Sequence, residues 1–148
     1  MNFVKSRAAG FTLIELMVVV ALIAIAAGVM SLALRDPAAT QLEHEAARLS
    51  ALLESARTEA RGSGLAVYWE PRGAEGSGHD FRFLGLPSTS DLPHRWLQQG
   101  VSAAVVGSRV VVLGPEAVIG PQRITLGLDD RRLTLATDGI GPFIVSDQ

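Results

Sequence analysis

Between Phe11 and Leu34 the chain runs for 24 residues, FTLIELMVVVALIAIAAGVMSLAL, with Glu15 as the only ionisable side chain. A helix of that length measures roughly 36 Å, and a bilayer hydrocarbon core is about 30 Å thick, so the segment predicts a single membrane span. The preceding MNFVKSRAAG carries Lys5 and Arg7 and no acid. This bias keeps the N-terminus on the cytoplasmic side and sends everything after Leu34 across the membrane. Ala24-Ile25-Ala26 imitates a signal-peptide cleavage site, but the apolar run continues past it and begins with a carboxylate that an ordinary signal peptide does not need.

Glu15 is the anomaly of the span, because a carboxylate in hydrocarbon is expensive and marks a partner. Cleavage between Gly10 and Phe11 would give Phe11 a new amino group, one helical turn from Glu15. Pairing of that amine with the Glu15 carboxylate of a neighbouring subunit would set the axial register of one helix on the next. The string Gly10-Phe11-Thr12-Leu13-Ile14-Glu15-Leu16, after a short basic leader and before an apolar run, resembles the prepilin leader of type IV pilins and type II secretion pseudopilins. That resemblance implies cleavage after Gly10 and N-methylation of Phe11 by a prepilin peptidase. It further implies assembly from the inner membrane into a pilus or pseudopilus, with Phe11 and Glu15 as assembly residues.

Without residues 1–34 there remain 114 residues with 11 basic and 14 acidic side chains (13 less Lys5 and Arg7, 15 less Glu15), a formal charge of −3. A mildly acidic exported domain disfavours binding to phosphate backbones. Cysteine is absent, so neither disulfides nor thiolate metal sites hold the domain together. Asp36-Pro37 supplies a cap and a first-turn proline. Apolar residues then recur at Leu42, Ala46, Leu49, Leu53, Ala56 and Ala60, in steps of four and three, which is one helical packing stripe. Glu43, Glu45, Arg48, Glu54, Arg57, Glu59 and Arg61 are read as the solvent side. Gly62-Ser63-Gly64 stops the helix. The expectation is a helical stalk over 35–61 with a bend near Pro37, followed by a β-rich globule over 62–148.

Seven short apolar or alternating runs in that remainder predict antiparallel strands, at 65–70, 81–86, 94–98, 109–113, 123–128, 132–137 and 142–146. Asp129 and Asp130 predict a hairpin turn between the fifth and sixth. The loops at 73–80 and 86–94 are rich in Gly, Pro and Ser and are candidate docking surfaces. The fold class expected is α+β and pilin-like: a long N-terminal helix packed on antiparallel sheets in a sandwich-like globule.

His44, His79 and His94 show no metal-ligand spacing. There is no nucleophile elbow or phosphate-cradling glycine loop, and the aspartates at 129, 130 and 138 do not form a calcium loop. Trp69 and Trp96 read as core anchors. No enzyme activity, cofactor or metal is expected.

A pilin leader, a helix ending in ARGSG and a C-terminal LTLATDGIGPFIV resemble the GspH/FimT group of minor pseudopilins and minor pilins. The residues that carry this are Ala56, Arg57, Ala60, Arg61, Asp138, Gly139, Pro142 and Phe143. Its secretion branch implies a minor pseudopilin near the tip of a periplasmic pseudopilus, single-pass in the Gram-negative inner membrane. Implied partners are other minor pseudopilins, the major pseudopilin, the prepilin peptidase, and exoproteins or the secretin. Its pilus branch implies a FimT-like minor pilin that captures DNA, against which stands the sparse basic charge, with Arg131-Arg132 as the one pair in the exported part.

Overall fold

The computed structural model describes residues 12–33, 37–72, 76 and 78–146. The chain divides into two compact units, 1–36 and 37–148. The first is helix α1, Leu13–Ala33. The second opens with helix α2, Pro37–Ser63. It continues through seven strands: β1 Val67–Glu70, β2 Arg82–Leu84, β3 Ser102–Val105, β4 Val111–Gly114, β5 Gln122–Leu128, β6 Arg131–Thr137 and β7 Ile144–Ser146.

Helix α2 begins on Pro37, whose fixed φ suits a first helical position and whose missing N–H would have no intrahelical partner there. It ends where Gly64 adopts a left-handed φ of 67°, a conformation glycine enters without a Cβ clash. Leu42, Ala46, Leu49, Leu53, Ala56 and Ala60 are all buried. They form the helical wall of a core that also contains Val67, Trp69, Phe81, Leu113, Ile124, Leu126, Leu135 and Phe143. Each large aliphatic side chain withdrawn from water here contributes roughly 1.5–3 kcal/mol. The stalk helix is therefore part of the same compact unit as the strands.

The strands form two antiparallel sheets, ordered β2-β1-β4 and β3-β5-β6-β7, and α2 contacts strands of both. The β5–β6 hairpin is in full register from Gln122↔Thr137 to Leu128↔Arg131, closed by Asp129 and Asp130. One side-chain amide links the two sheets. Gln122 on β5 accepts from the Val112 N–H at 2.7 Å and donates to the Val112 carbonyl at 2.9 Å on β4.

The observed class is the α+β, helix-on-antiparallel-sheet arrangement read from the sequence, with three local differences. Residues 94–98 form a loop, not a strand, because the N–H groups of Trp96, Leu97 and Gln98 bond to the Asp80 and Glu45 carboxylates. The strand Ser102–Val105, low in β-formers, pairs with β5 as an edge. Glu45 and Arg57, read as solvent-facing, are buried.

Candidate functional site

The N-terminus of α1 is capped by its own sequence. Thr12 Oγ1 accepts the Glu15 N–H at 3.3 Å, and the Thr12 carbonyl accepts the Leu16 N–H at 3.2 Å. Thr12 thus serves as the N-cap, with Glu15 in the first turn where the helix dipole favours negative charge. Thr12 was open to this reading, since a Ser/Thr-x-x-Glu string before an apolar run is its signature. Every described side chain of α1 from Thr12 to Gly28 is exposed, including Leu13, Ile14, Leu16, Met17, Leu22, Ile23 and Ile25. An apolar helix uncovered on all faces needs lipid or other helices around it.

Gly10 and Phe11, the expected processing residues, lie outside the described residues. Among the described residues no helix is long and apolar enough to cross a membrane. The expected span of 11–34 extends beyond them, since 11 and 34 are not described and side chains are described from Thr12 to Gly28.

In the second unit, two buried charges on α2 fix two loops. Glu45, 1% exposed, accepts the Leu97 and Gln98 N–H groups on Oε1 at 2.5 and 2.8 Å. Its Oε2 lies 3.4 Å from Arg48 Nη1, which donates to the Arg95 carbonyl at 3.0 Å. Arg57, also 1% exposed, grips the turn after β6. Nη1 donates to the Gly141 carbonyl at 2.8 Å, and Nη2 to those of Gly139 and Ile140 at 2.6 and 3.2 Å. Nη2 also reaches the Ala117 carbonyl at 3.3 Å, and Glu54 sits 3.6 Å from Nη1. A guanidinium suits this task because its planar fork satisfies several carbonyls at once without losing its charge.

The gripped turn is reinforced from within. Asp138 Oδ1 accepts the N–H groups of Gly141 and Ile140 at 2.7 and 2.9 Å. Those two bonds, the Gly141 one foremost, hold the Asp138 carboxyl below its ordinary value of 3.8, and the nearby Arg57 charge acts in the same direction. Thr137 Oγ1 accepts the Gly139 N–H and donates to the Gly141 carbonyl. At the rim, Ile140 and Val118 are exposed at 70% and 60%, so the clamp presents apolar side chains to the outside.

His79 and His94 stack at 4.8 Å between ring centroids, and Phe81 packs on Trp96 at 4.7 Å. The Asp80 and Phe81 N–H groups both donate to the His94 carbonyl. His44 is exposed on α2. Among the described residues no group of three or more His, Cys, Asp or Glu side chains could hold a metal ion. Of the loop at 73–80, residues 73–75 and 77 lie outside the described residues.

Residues 5–31 match the family described as the prokaryotic N-terminal methylation motif. Among solved structures, the fold is similar to that of the type IV minor pilin FimU of Pseudomonas aeruginosa strain PAO1. The TM-score is 0.54 and the sequence identity 13%, over 73% of this chain and 90% of that one. No curated protein matches the chain. The fold is type IV pilin-like.

Proposed function

We propose, from a type IV pilin-like fold that follows an N-terminal methylation motif, that this chain is a minor pseudopilin of a type II secretion system, closest to GspH. In this reading it is a structural subunit, not an enzyme. The observation that carries the proposal is the conjunction of that motif over residues 5–31 with an α1 whose described apolar side chains are uncovered on every face. Such a helix is stored in the inner membrane and then packed among the helices of other subunits. The leader is removed between Gly10 and Phe11, Phe11 is methylated, and the domain from Pro37 onward sits in the periplasm. Phe11 and Glu15 set register, and the Glu45 and Arg57 clamps keep the exported surface in one shape.

The likeness to FimU supports a second reading, a minor pilin of type IV pili. Its DNA-capturing form has less support, because Arg132 turns its guanidinium to the carbonyls of Asp129 and Arg131 at 3.0 and 2.9 Å. Deletion of the chain in its native host separates the readings. Loss of exoprotein release with intact pili is expected for the secretion subunit, whereas loss of pili or of DNA uptake with normal secretion overturns it. Mass spectrometry of membrane-extracted protein should find methylated Phe11 as the mature N-terminus, and a terminus at Ala27 would support an ordinary signal peptide.

A further inference from the structure

We propose that Asp138-Gly139 is a site of spontaneous isoaspartate formation, which the Arg57 clamp holds off in the folded subunit and which, once formed, keeps the clamp from closing again. Asp138 is the only aspartate followed by glycine; the next residues after the others are Pro37, Phe81, Leu92, Asp130, Arg131 and Gln148. Glycine has no side chain to shield its own nitrogen. In the reaction the Gly139 nitrogen attacks Cγ of the protonated Asp138 carboxyl. An N–Cγ bond forms, a C–O bond breaks, and the nitrogen's proton leaves with the departing hydroxyl as water. Water then reopens the imide. Where it adds at the former backbone carbonyl of Asp138, that carbon becomes the free carboxylate and the chain runs on through Cγ. Nothing is oxidised or reduced, mass and charge are unchanged, and the backbone gains one carbon.

The fold opposes each requirement of that attack. The Gly139 N–H donates to Thr137 Oγ1 at 3.0 Å in a buried bond, so the nucleophile must first leave this acceptor. Asp138 Oδ1 accepts the Gly141 and Ile140 N–H groups at 2.7 and 2.9 Å, which favours the carboxylate over the acid that loses water. The peptide between the two residues must also rotate to bring the nitrogen onto Cγ, and Gly139 is pinned. Its carbonyl accepts from Arg57 Nη2 at 2.6 Å and from the Ile119 N–H at 3.2 Å. Its Cα faces Gly120 so closely that a Cβ would lie 2.5 Å from the Gly120 carbonyl oxygen. Reaction therefore waits on local opening of the turn. Asp138 itself is exposed, so water reaches the imide. An added backbone carbon then moves the carbonyls of Gly139, Ile140 and Gly141 out of step with the guanidinium that spans them, and one opening becomes permanent.

The chemistry is independent of which filament the subunit serves. Full-length chain extracted in detergent is incubated at neutral pH, folded or in guanidinium chloride. Trypsin cuts after Arg132 and releases residues 133–148, in which electron-transfer mass spectrometry distinguishes isoaspartate from aspartate. Isoaspartate at 138 is expected to form about tenfold faster or more in the denatured chain than in the folded one. Thr137→Val removes the acceptor of the Gly139 N–H at similar volume and is expected to raise the folded rate about tenfold. Val111→Ala, which truncates a buried side chain in the other sheet, is expected to leave the folded rate at the parental value. Equal rates with and without denaturant overturn the guard. So does a Val111→Ala chain that isomerises as fast as Thr137→Val, since opening would then be global. Absence of isoaspartate at 138 from the denatured chain overturns the site itself. The ratio of folded to denatured rates is read on the parent chain alone, so a Thr137→Val chain that fails to fold leaves the test intact. Chains already carrying isoaspartate are expected to unfold at lower urea concentration than unmodified ones, and identical midpoints overturn the loss of the clamp.

Discussion

Arg57 joins one helix to a turn more than eighty residues away through bonds to the carbonyls of Gly139, Ile140 and Gly141. Arg57→Ala strands these acceptors and the Glu54 carboxylate beside them. Leaving buried carbonyls without a donor costs about 1–3 kcal/mol each, a loss of stability that urea unfolding of the purified protein should show. Arg57→Lys is expected to recover part of this, because an ammonium reaches fewer carbonyls than the fork. Asp138 carries a different signature. Its folded pKa is depressed, so the stability it contributes is present above the unfolded carboxyl value and is lost as pH falls through the lowered one, below 3.8. Asp138→Asn keeps an acceptor oxygen and removes the titration, so its acid-unfolding curve below that pH should be flatter than that of the parent chain.

Of the elements, α2 and the β5–β6 hairpin were the most legible in the sequence. A stripe from Leu42 to Ala60 in steps of four and three leaves one face to bury, and Ile124, Leu126 and Leu128 alternate with Arg123, Thr125 and Gly127. What escaped is equally physical. Ser102, Ala103 and Ala104 have no β-branch or ring, and they form a strand because β5 offers an open edge. His94 to Gln98 looked like a strand by composition, but the Glu45 carboxylate takes the Leu97 and Gln98 N–H groups that a ladder would need. A buried glutamate or arginine flanking an apolar stripe is indistinguishable in sequence from a solvated one. The turn after β6 offers an element-scale test. Gly139 has φ 93°, and a Cβ there would lie 2.5 Å from the Gly120 carbonyl oxygen. Gly139→Ala should therefore lower the melting temperature more than Gly62→Ala, where a Cβ meets nothing within 4 Å.

For the whole molecule, a pair of variants tests the charge pairing proposed for Glu15. Glu15→Gln keeps a polar side chain and removes the charge, whereas Glu15→Leu removes both, and the bond from the residue-15 N–H to Thr12 Oγ1 is open to either variant. Both should reach the membrane at parental abundance or above, since each takes a charge out of the apolar run. Crosslinking to neighbouring subunits should fall for both, because an uncompensated amine in a low-dielectric contact costs about 3–5 kcal/mol. Normal crosslinking by Glu15→Gln would show that the position serves no charge pair. A subunit of the proposed filament would carry tension, and there the Gln122 amide has a mechanical meaning. It ties β4 to β5 through both a donor and an acceptor of Val112, so tension on either sheet is shared by the other. Pulled between its ends, the domain should rupture in one event, and Gln122→Leu should let the β2-β1-β4 sheet tear away first at lower force.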